Sequence, residues 1–298
     1  MWASFGAGKT HALMNLRRLA QETSSLVPLY VVTPRGIKTF VDLYRAVSQA
    51  ALESGVAAST GRKILLQEGA PAGDVERALR VLASGDNEQA QAATSWLRAE
   101  RLSARERQSL GLSGNIDSTN AAIESLQHLI HAIQQDDRQV LLLVDEVQEL
   151  AELGKKLDEC IGGLHKLFDK SPTGLTLVLS FTTATQGTVR SILGETLWDR
   201  VGQTIELPAF TREEGADFLT GLITANASDA ETALRIFSRQ AMQEIVDSRM
   251  ASDGTLTPRS LIRAADQVLR EALTDLEDGL IAVIDAAFVR EVLGGAPE

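Results

Sequence analysis

The chain has 298 residues, a formal net charge of −11 and one cysteine, Cys160, with 44% hydrophobic and 23% charged residues. This composition is typical of a globular protein with one large or two ordinary domains, and it excludes an internal disulfide and a cysteine-based zinc site. The negative charge disfavours nucleic-acid binding through bulk positive charge, which leaves a local basic groove as the only route to such contact.

The first predicted element is a helix that begins at a glycine-rich loop. The opening stretch MWASFGAGKTH contains Gly8-Lys9-Thr10, the second half of the phosphate-loop pattern G-x-x-x-x-G-K-[ST]. In that pattern backbone amides surround phosphate oxygens, the lysine reaches the β- and γ-phosphates, and the threonine hydroxyl binds magnesium. Ala3 occupies the position of the first glycine, and only two residues precede it. Taken alone, the Gly-Lys-Thr match leaves phosphate binding and a chance occurrence equally open.

Strands and helices then alternate up to Pro208. The run LVPLYVVTP (26–34) predicts a buried strand, and FVDLYRAVSQAALES predicts a helix. The polar, alanine-rich residues 55–117 predict an α-helical insertion. STNAAIESLQHLIHAIQQ predicts an amphipathic helix with Ser118 or Thr119 as its N-cap. Three more strands are predicted in QVLLLVDEVQEL, GLTLVLSFTT and QTIELPAF, with a short helix at IGGLHKLFDKSP.

Every predicted element from Thr211 onward is a helix. Alternating strands and helices followed by helices alone predict the fold class α/β. We predict a parallel-sheet P-loop nucleotide-binding domain at residues 1–208, with its helical insertion at about 55–117. A small all-helical lid domain is predicted at residues 209–298.

The second candidate motif is the acidic pair Asp145–Glu146 at the end of the strand VLLLVD. Open α/β sheets bind their ligands at the carboxyl ends of the strands. At that place Asp145 suits the coordination of magnesium, and Glu146 suits a general base that orients water. A buried strand followed by a solvated acidic turn is the alternative. Because the two motifs occur in the expected order, we interpret them together as a nucleotide-binding site with Mg²⁺.

Three further positions could assist phosphoryl transfer. Thr182 or Thr183, at the end of the next strand, could hold the attacking water or simply cap the strand. Arg200, just before the last predicted strand, could reach the phosphate of a neighbouring subunit or pair with Asp199 at the surface. Arg259, at a helix start in the lid domain, is predicted to fold over bound phosphates.

The remaining polar candidates have ordinary interpretations. His128 and His131 share a helix face without a third metal ligand, so a solvated face is favoured over a metal site. His11 directly follows the loop and is predicted to pack or hydrogen-bond in the first helical turn. Arg35 and Lys38 are favoured as part of a solvated turn over a contact with nucleic acid or a partner.

The motifs in this order resemble an AAA+ ATPase, and within that superfamily the Orc/Cdc6-like branch. The resemblance rests on the FGAGKTH loop, LLLVDE, the polar strand end, the arginine before the last strand and the Pro-Arg pair in TPRSLIRAA. More narrowly, the loop, ATSWLRAERLSARERQSLGL and LLLVDEVQEL are similar to the ATP-binding proteins of bacterial BREX-type phage-defence systems, which carry a comparable W-L-x-x-E-x-L segment.

The resemblance implies a role for each motif residue. Thr10 and Asp145 would bind Mg²⁺, and Glu146 would be the base. The resemblance further implies Thr182 or Thr183 as the first sensor and Arg200 as a trans-acting finger. The nucleotide itself would be bound by the loop and by a lid sensor, namely Gly6, Ala7, Gly8, Lys9, Thr10, His11 and Arg259.

Two departures from the family pattern stand at the start of the chain. Ala3 replaces the first loop glycine, and the central strand that normally precedes the loop is missing. Loss of a central strand would expose unpaired backbone in the middle of the sheet. We therefore expect that the chain starts late, as a fragment or from a misplaced start codon.

Two functions remain open. The first is an ATPase that drives or gates a DNA-linked assembly in phage defence, as a homo-oligomer acting with other proteins of a multi-gene system. The second is a nucleotide-gated interaction module with little or no turnover. The intact acidic pair favours the first, and Ala3 favours the second.

Partners and location follow from charge and hydropathy. Contact with nucleic acid is expected to be indirect, and a sequence-specific DNA-binding protein is disfavoured by the net charge of −11. No apolar run approaches the roughly 18 to 20 residues that span a bilayer, and the first residues lack the order of a secretory signal. We expect a cytoplasmic location and no membrane partner.

Overall fold

The computed structural model describes residues 1–33, 39–67, 69, 71, 73–84, 87–171 and 173–294, so that Arg35 and Lys38 lie outside the described residues. The chain divides into two compact units. The first consists of Met1–Trp2 and Thr10–Ile205, and the second of Ala3–Lys9 and Glu206–Glu298. Helices predominate and the strands form small parallel sheets, so the fold class α/β is confirmed.

The first unit is built on a parallel sheet of three strands in the order β2-β3-β4. The strands of the described chain are β1 (Trp2–Ala3), β2 (Leu26–Val32), β3 (Gln139–Asp145), β4 (Leu175–Leu179) and β5 (Phe181–Thr182). Strand β2 contains Pro28, which is tolerated because β2 is an edge strand of this sheet. Val32 lies opposite Asp145, and Val144 lies opposite Leu179, so the carboxyl ends of the three strands meet at one edge.

The central strand β3 separates two apolar clusters. Its side chains alternate between the two faces of the sheet. Val140, Leu142 and Val144 join the large core, whereas Leu141 and Leu143 pack with Leu13 and Ala20. Burial on both faces explains why β3 is apolar almost throughout.

Helices of the first unit account for most of its residues. They are α1 (Lys9–Gln21), α2 (Phe40–Glu53), α3 (Val56–Leu66), α4 (Asp74–Ser84), α5 (Asn87–Leu97), α6 (Ala104–Ser109), α7 (Thr119–Gln134), a 3₁₀ segment (Val147–Lys156), α8 (Leu157–Lys170) and α9 (Gln186–Trp198). The helical character predicted for residues 55–117 is confirmed by α3 to α6. Ser118 is the N-cap of α7, where its side chain accepts a hydrogen bond from the Ala121 N–H.

Backbone hydrogen bonds place the first two residues beside the end of β4. The terminal ammonium of Met1 donates to the Leu179 oxygen at 2.8 Å, and the Phe181 N–H donates to the Met1 oxygen at 3.0 Å. On its other side, the Trp2 N–H donates to the Ile205 oxygen at 2.9 Å. The two-residue strand β1 thus precedes the loop, and the absence of a full central strand at this place stays a prediction.

The predicted strand QTIELPAF does not form. Residues 203–210 contain only isolated bridge positions. Within the first unit this segment is joined to the chain start by the single Trp2–Ile205 backbone bond, which is not a ladder of strand pairing. The prediction of a strand here is wrong, because a strand requires a continuous partner in addition to an apolar pattern.

The elements of the second unit described between residues 212 and 294 are all helices, as predicted for this part of the chain. Its helices are α10 (Arg212–Asn226), α11 (Ala230–Ile236), α12 (Arg239–Asp253), α13 (Pro258–Glu277) and α14 (Ala286–Gly294). Helix α13 has a capping box formed by Thr257 and Ser260, and Pro258 at its first turn favours a helix start. Of the helices that the structure describes, none combines the length and the apolar character needed to cross a membrane.

Two neighbouring glycines in α8 provide a test of how tightly this helix packs. A Cβ atom on Gly163 would lie 2.4 Å from Cδ2 of the fully buried Phe40, whereas one on Gly162 would meet nothing within 4 Å. Gly163→Ala is expected to lower the free energy of unfolding by about 1 to 3 kcal/mol through overpacking. Gly162→Ala is expected to raise it by about 0.5 to 1 kcal/mol, because alanine favours the helix. Urea unfolding of both variants measures the difference, and equal effects would contradict the packing of Phe40 on Gly163.

Candidate functional site

The candidate site in the first unit is centred on Asp145, the last residue of β3. Its side chain accepts four hydrogen bonds. Oδ2 accepts from Thr10 Oγ1 at 2.7 Å and from the Tyr30 hydroxyl at 3.1 Å. Oδ1 accepts from Ser180 Oγ at 2.7 Å and from the Glu146 N–H at 3.0 Å. An ionised carboxylate has about four acceptor positions, so these donors satisfy a side chain that is only 1% exposed.

Four segments of the first unit supply these donors. Thr10 lies in the first turn of α1, Tyr30 lies in β2, and Ser180 lies in the break between β4 and β5. The parallel register brings the ends of β2 and β4 level with Asp145. The site therefore forms at the carboxyl edge of the sheet, where α/β proteins bind their ligands.

Tyr30 and Ser180 were missed by the sequence reasoning. Ser180 did carry a signal, because a polar residue within the apolar run LVLSF must find a hydrogen-bond partner once it is buried. Tyr30 carried none, because an aromatic residue in a strand is ordinary core. Its contact with Asp145 depends on the strand register.

Glu146 lies one residue beyond β3, in a left-handed conformation with φ 58° and ψ 38°. Such a conformation is uncommon for a residue other than glycine and is held by its surroundings. The next residue, Val147, donates its N–H to the Ser180 oxygen at 2.9 Å. The Oε2 atom of Glu146 accepts from Thr182 Oγ1 at 3.2 Å and from Gln148 Nε2. The two acidic side chains thus contact different partners.

The structure brings one of the two candidate threonines to the acidic pair. Thr182 bonds to Glu146, whereas Thr183 accepts a hydrogen bond from the Thr185 N–H at 3.4 Å, next to the start of α9. Of the two threonines, Thr182 is therefore the one that contacts Glu146.

Arg200 forms an ion pair with Asp169, with Nε 3.2 Å from Oδ1. The surface partner suggested by the sequence, Asp199, is thus replaced by Asp169 on α8. None of the contacts shown by the described residues joins Arg200 to the acidic pair. Its predicted role in a neighbouring subunit's site stays a prediction.

The glycine-rich loop belongs to the second unit, with Gly6 at φ 82° and Gly8 at φ 95°. Both angles lie in the left-handed region, which glycine adopts without strain. The amino group of Lys9 donates to the Ala3 oxygen at 3.2 Å and to the Ser4 oxygen at 3.0 Å. The loop therefore closes around the lysine amino group.

Arg259 contacts the same loop within the second unit. Its N–H donates to the Gly6 oxygen at 3.4 Å, and its guanidinium carbon lies 4.2 Å from the centre of the Phe5 ring. A Cβ atom on Gly6 would lie 2.9 Å from the Arg259 Cβ, so the approach requires glycine. Ala7 donates its N–H to the Ser4 oxygen. The cation-π contact with Phe5 holds the guanidinium beside the loop.

The side chains of the site suit Mg²⁺, which needs few protein ligands, better than a metal ion that is held entirely by protein side chains. Among the described residues no group of three or more His, Cys, Asp and Glu side chains could hold a metal ion, and His128 and His131 form no such group. His11 is exposed in the first turn of α1. Mg²⁺ usually takes one or two protein carboxylates together with phosphate oxygens and waters. Thr10 and Asp145 match that modest requirement.

The two tyrosines of the chain provide a titration test of the site. The pKa of Tyr30 is raised by burial and then by the charge and hydrogen bond of Asp145, and the pKa of Tyr44 is raised by burial. A raised folded-state pKa stabilises the fold below the unfolded-state pKa of about 10, and the stabilisation is lost as the pH rises above it. We predict no tyrosinate absorbance near pH 10 in the folded protein.

Tyr44→Phe leaves Tyr30 as the sole tyrosine and isolates its titration. The folded variant is expected to form tyrosinate only as it unfolds in alkali. A reversible transition near the ordinary tyrosine pKa, with the fold intact by circular dichroism, would contradict the contact between Tyr30 and Asp145.

Comparison with known proteins adds a partial family match. Residues 68–190 match a family described as BREX system ATP-binding protein BrxC/D. The match covers less than half of the chain; it includes the acidic pair and Thr182, whereas the glycine-rich loop and Arg259 lie outside it. A search of curated proteins finds no match to the chain. The central part of the chain is thus similar to a family of BREX ATP-binding proteins.

Proposed function

We propose that the chain is an AAA+ protein that binds ATP with Mg²⁺ and hydrolyses it within a phage-defence assembly. The observation that carries this proposal is the 2.7 Å hydrogen bond from Thr10 Oγ1 to Asp145 Oδ2. It joins the last residue of the phosphate-loop pattern to the first residue of the acidic pair, 135 positions apart. A chance Gly-Lys-Thr match gives no reason for that contact. The similarity of residues 68–190 to BREX ATP-binding proteins supports the proposal independently of the loop.

Phosphate binding is assigned to the loop at the start of α1. Left-handed glycines and a helix N-terminus direct backbone N–H groups toward an anion, and the helix dipole favours negative charge there. Lys9 would exchange the carbonyl oxygens of Ala3 and Ser4 for phosphate oxygens. Arg259, held beside Gly6 and stacked on Phe5, would supply a second positive charge. The proposed nucleotide-binding residues are Gly6, Ala7, Gly8, Lys9, Thr10, His11 and Arg259.

Thr10 and Asp145 would hold Mg²⁺, with Asp145 giving up one of its four hydrogen bonds to turn that acceptor position to the metal. Bound Mg²⁺ would neutralise charge on the β- and γ-phosphates. The hydroxyl proton of Thr10 is already donated to Asp145, so the oxygen keeps its lone pairs for the metal. Asp145 in turn keeps its orientation through Tyr30 and Ser180.

Hydrolysis is assigned to Glu146 as the general base that takes a proton from the attacking water. Thr182 contacts its Oε2 atom and would act as the first sensor in preference to Thr183. Arg200 would act on the site of a neighbouring copy, which requires a homo-oligomer and release of the Asp169 pair. Residues 209–298 would then be the lid domain.

A nucleotide-gated interaction module with little turnover is the second candidate. It is favoured by Ala3 at the first glycine position and by the bonds from Lys9 to the loop carbonyl oxygens. A lysine so engaged binds phosphate only after leaving those oxygens. In this alternative ATP sets conformation or assembly and is not consumed.

Glu146→Gln separates the two functions. The substitution keeps the size of the side chain and removes the base, so ATP affinity is expected to stay unchanged while hydrolysis falls by about 10² to 10⁴. Asp145→Asn is expected to weaken magnesium-dependent binding, because a negative charge beside the metal is lost. The measurements are equilibrium binding of a fluorescent ATP analogue and steady-state phosphate release.

Lys9→Ala is the control for binding, because it removes a positive charge from the phosphates. A folded Lys9→Ala protein that binds ATP as the parent does would rule out the loop assignment. Parent binding without turnover would establish the interaction module, and turnover at the parent rate in Glu146→Gln would remove Glu146 as the base.

A further inference from the structure

Gln148 bridges the acidic pair and the neighbouring strand. Its side-chain amide nitrogen donates to Glu146 Oε2, and its amide oxygen accepts the backbone N–H of Thr182 at 2.8 Å. Thr182 completes the set by donating its hydroxyl to the same Oε2 atom at 3.2 Å. The three residues thus form a closed ring of hydrogen bonds, and all three are half-buried.

Both side-chain donors converge on one oxygen of the Glu146 carboxylate. Oε2 receives Gln148 and Thr182, whereas Oε1 has no hydrogen-bond partner among the described residues. When one oxygen of a carboxylate accepts hydrogen bonds from the protein, the orientation of the group is fixed and its second oxygen can still accept a proton. That is the arrangement a general base needs, because the proton must pass to a known position.

The backbone explains why the residue two positions later can reach back. Glu146 takes the left-handed conformation, and the chain then enters the 3₁₀ segment. The Val147 N–H donates to the Ser180 oxygen, and the Glu149 N–H donates to the Glu146 oxygen at 3.0 Å. The resulting tight turn brings Gln148 alongside both β5 and the carboxylate.

Only a side chain with a donor and an acceptor at its tip completes this bridge. Glutamine has both groups on one amide. Glutamate at position 148 would still accept from Thr182 but would face the Glu146 carboxylate with a like charge. Methionine has a similar length and supplies neither a donor nor a comparable acceptor.

We propose that Gln148 is a positioning residue that fixes the Glu146 carboxylate with Oε2 held and Oε1 open to the attacking water. The proposal rests on the function proposed above, because positioning has meaning only if Glu146 is the base. It adds that the base is tied to β5 through the Thr182 backbone. A movement of β5 would therefore change the orientation of the Glu146 carboxylate.

The test uses Gln148→Met and Gln148→Glu in the full chain, with Gln108→Met at an exposed position of α6 as the matched control. Nucleotide affinity and kcat for ATP are measured together. Both variants at position 148 are expected to lower kcat by about 10- to 100-fold while affinity stays within about twofold, because binding groups are untouched. The control is expected to behave as the parent.

Amide hydrogen exchange of Thr182 provides a readout that does not depend on turnover. Gln148→Met is expected to accelerate exchange of this amide, whereas Gln148→Glu keeps it protected, since glutamate still accepts from the Thr182 N–H.

Unchanged kcat in both variants would overturn the proposal, and so would a joint loss of kcat and affinity, which indicates a structural role. If the parent protein does not hydrolyse ATP but its Thr182 amide exchanges as expected, the proposed ATPase function is refuted. The positioning role of Gln148 is then refuted with it, whereas its hydrogen bonds to Glu146 and Thr182 stand.

Discussion

The buried carboxylate of Asp145 is the constraint on which the first unit's site depends. A negative charge at 1% exposure is tolerated only when donors satisfy it. Here α1, β2, the break after β4 and the backbone at position 146 each provide one. Hydrogen bonds to a charged group contribute about 1.5 to 3 kcal/mol each, so these segments are held together by the same group that organises the candidate chemistry.

From Asp145 the arrangement extends in two directions. Toward α1, Thr10 connects the carboxylate to the helix that begins at the glycine-rich loop. Toward β5, the turn at Glu146 carries a second carboxylate to Thr182 and Gln148. The two acidic side chains are adjacent in sequence, but the left-handed conformation of Glu146 directs them to different partners. Asp145 accepts four hydrogen bonds, whereas Oε1 of Glu146 accepts none from the described residues, which is why different roles are proposed for them.

Much of this could be predicted from the sequence, because contiguous signals carry it. The apolar run ending in Asp145 predicts a strand with an acidic carboxyl end, and Gly8-Lys9-Thr10 predicts a loop followed by a helix. Alternating strands and helices followed by helices alone gave the α/β class and the helical second half. Each of these patterns lies within one contiguous stretch, so it can be recognised in a single sequence without knowledge of the tertiary contacts.

What escaped prediction depends on contacts between distant segments. The contact of Tyr30 with Asp145 follows from parallel register, which no single strand specifies. The contacts of Gln148 depend on the left-handed conformation of Glu146, which is uncommon for residues other than glycine. The run QTIELPAF has the apolar pattern of a strand, but no described segment pairs with it along its length, so that it does not form one. Long-range pairing decides each case.

The decisive experiment is a crystal structure of the protein with a non-hydrolysable ATP analogue and Mg²⁺. We expect phosphate oxygens on the backbone N–H groups of residues 6–10, with Lys9 released from the Ala3 and Ser4 oxygens, and a metal ion on Thr10 Oγ1. Nucleotide bound elsewhere, with the bonds from Lys9 to those oxygens and the Thr10–Asp145 pair unchanged, would contradict this expectation.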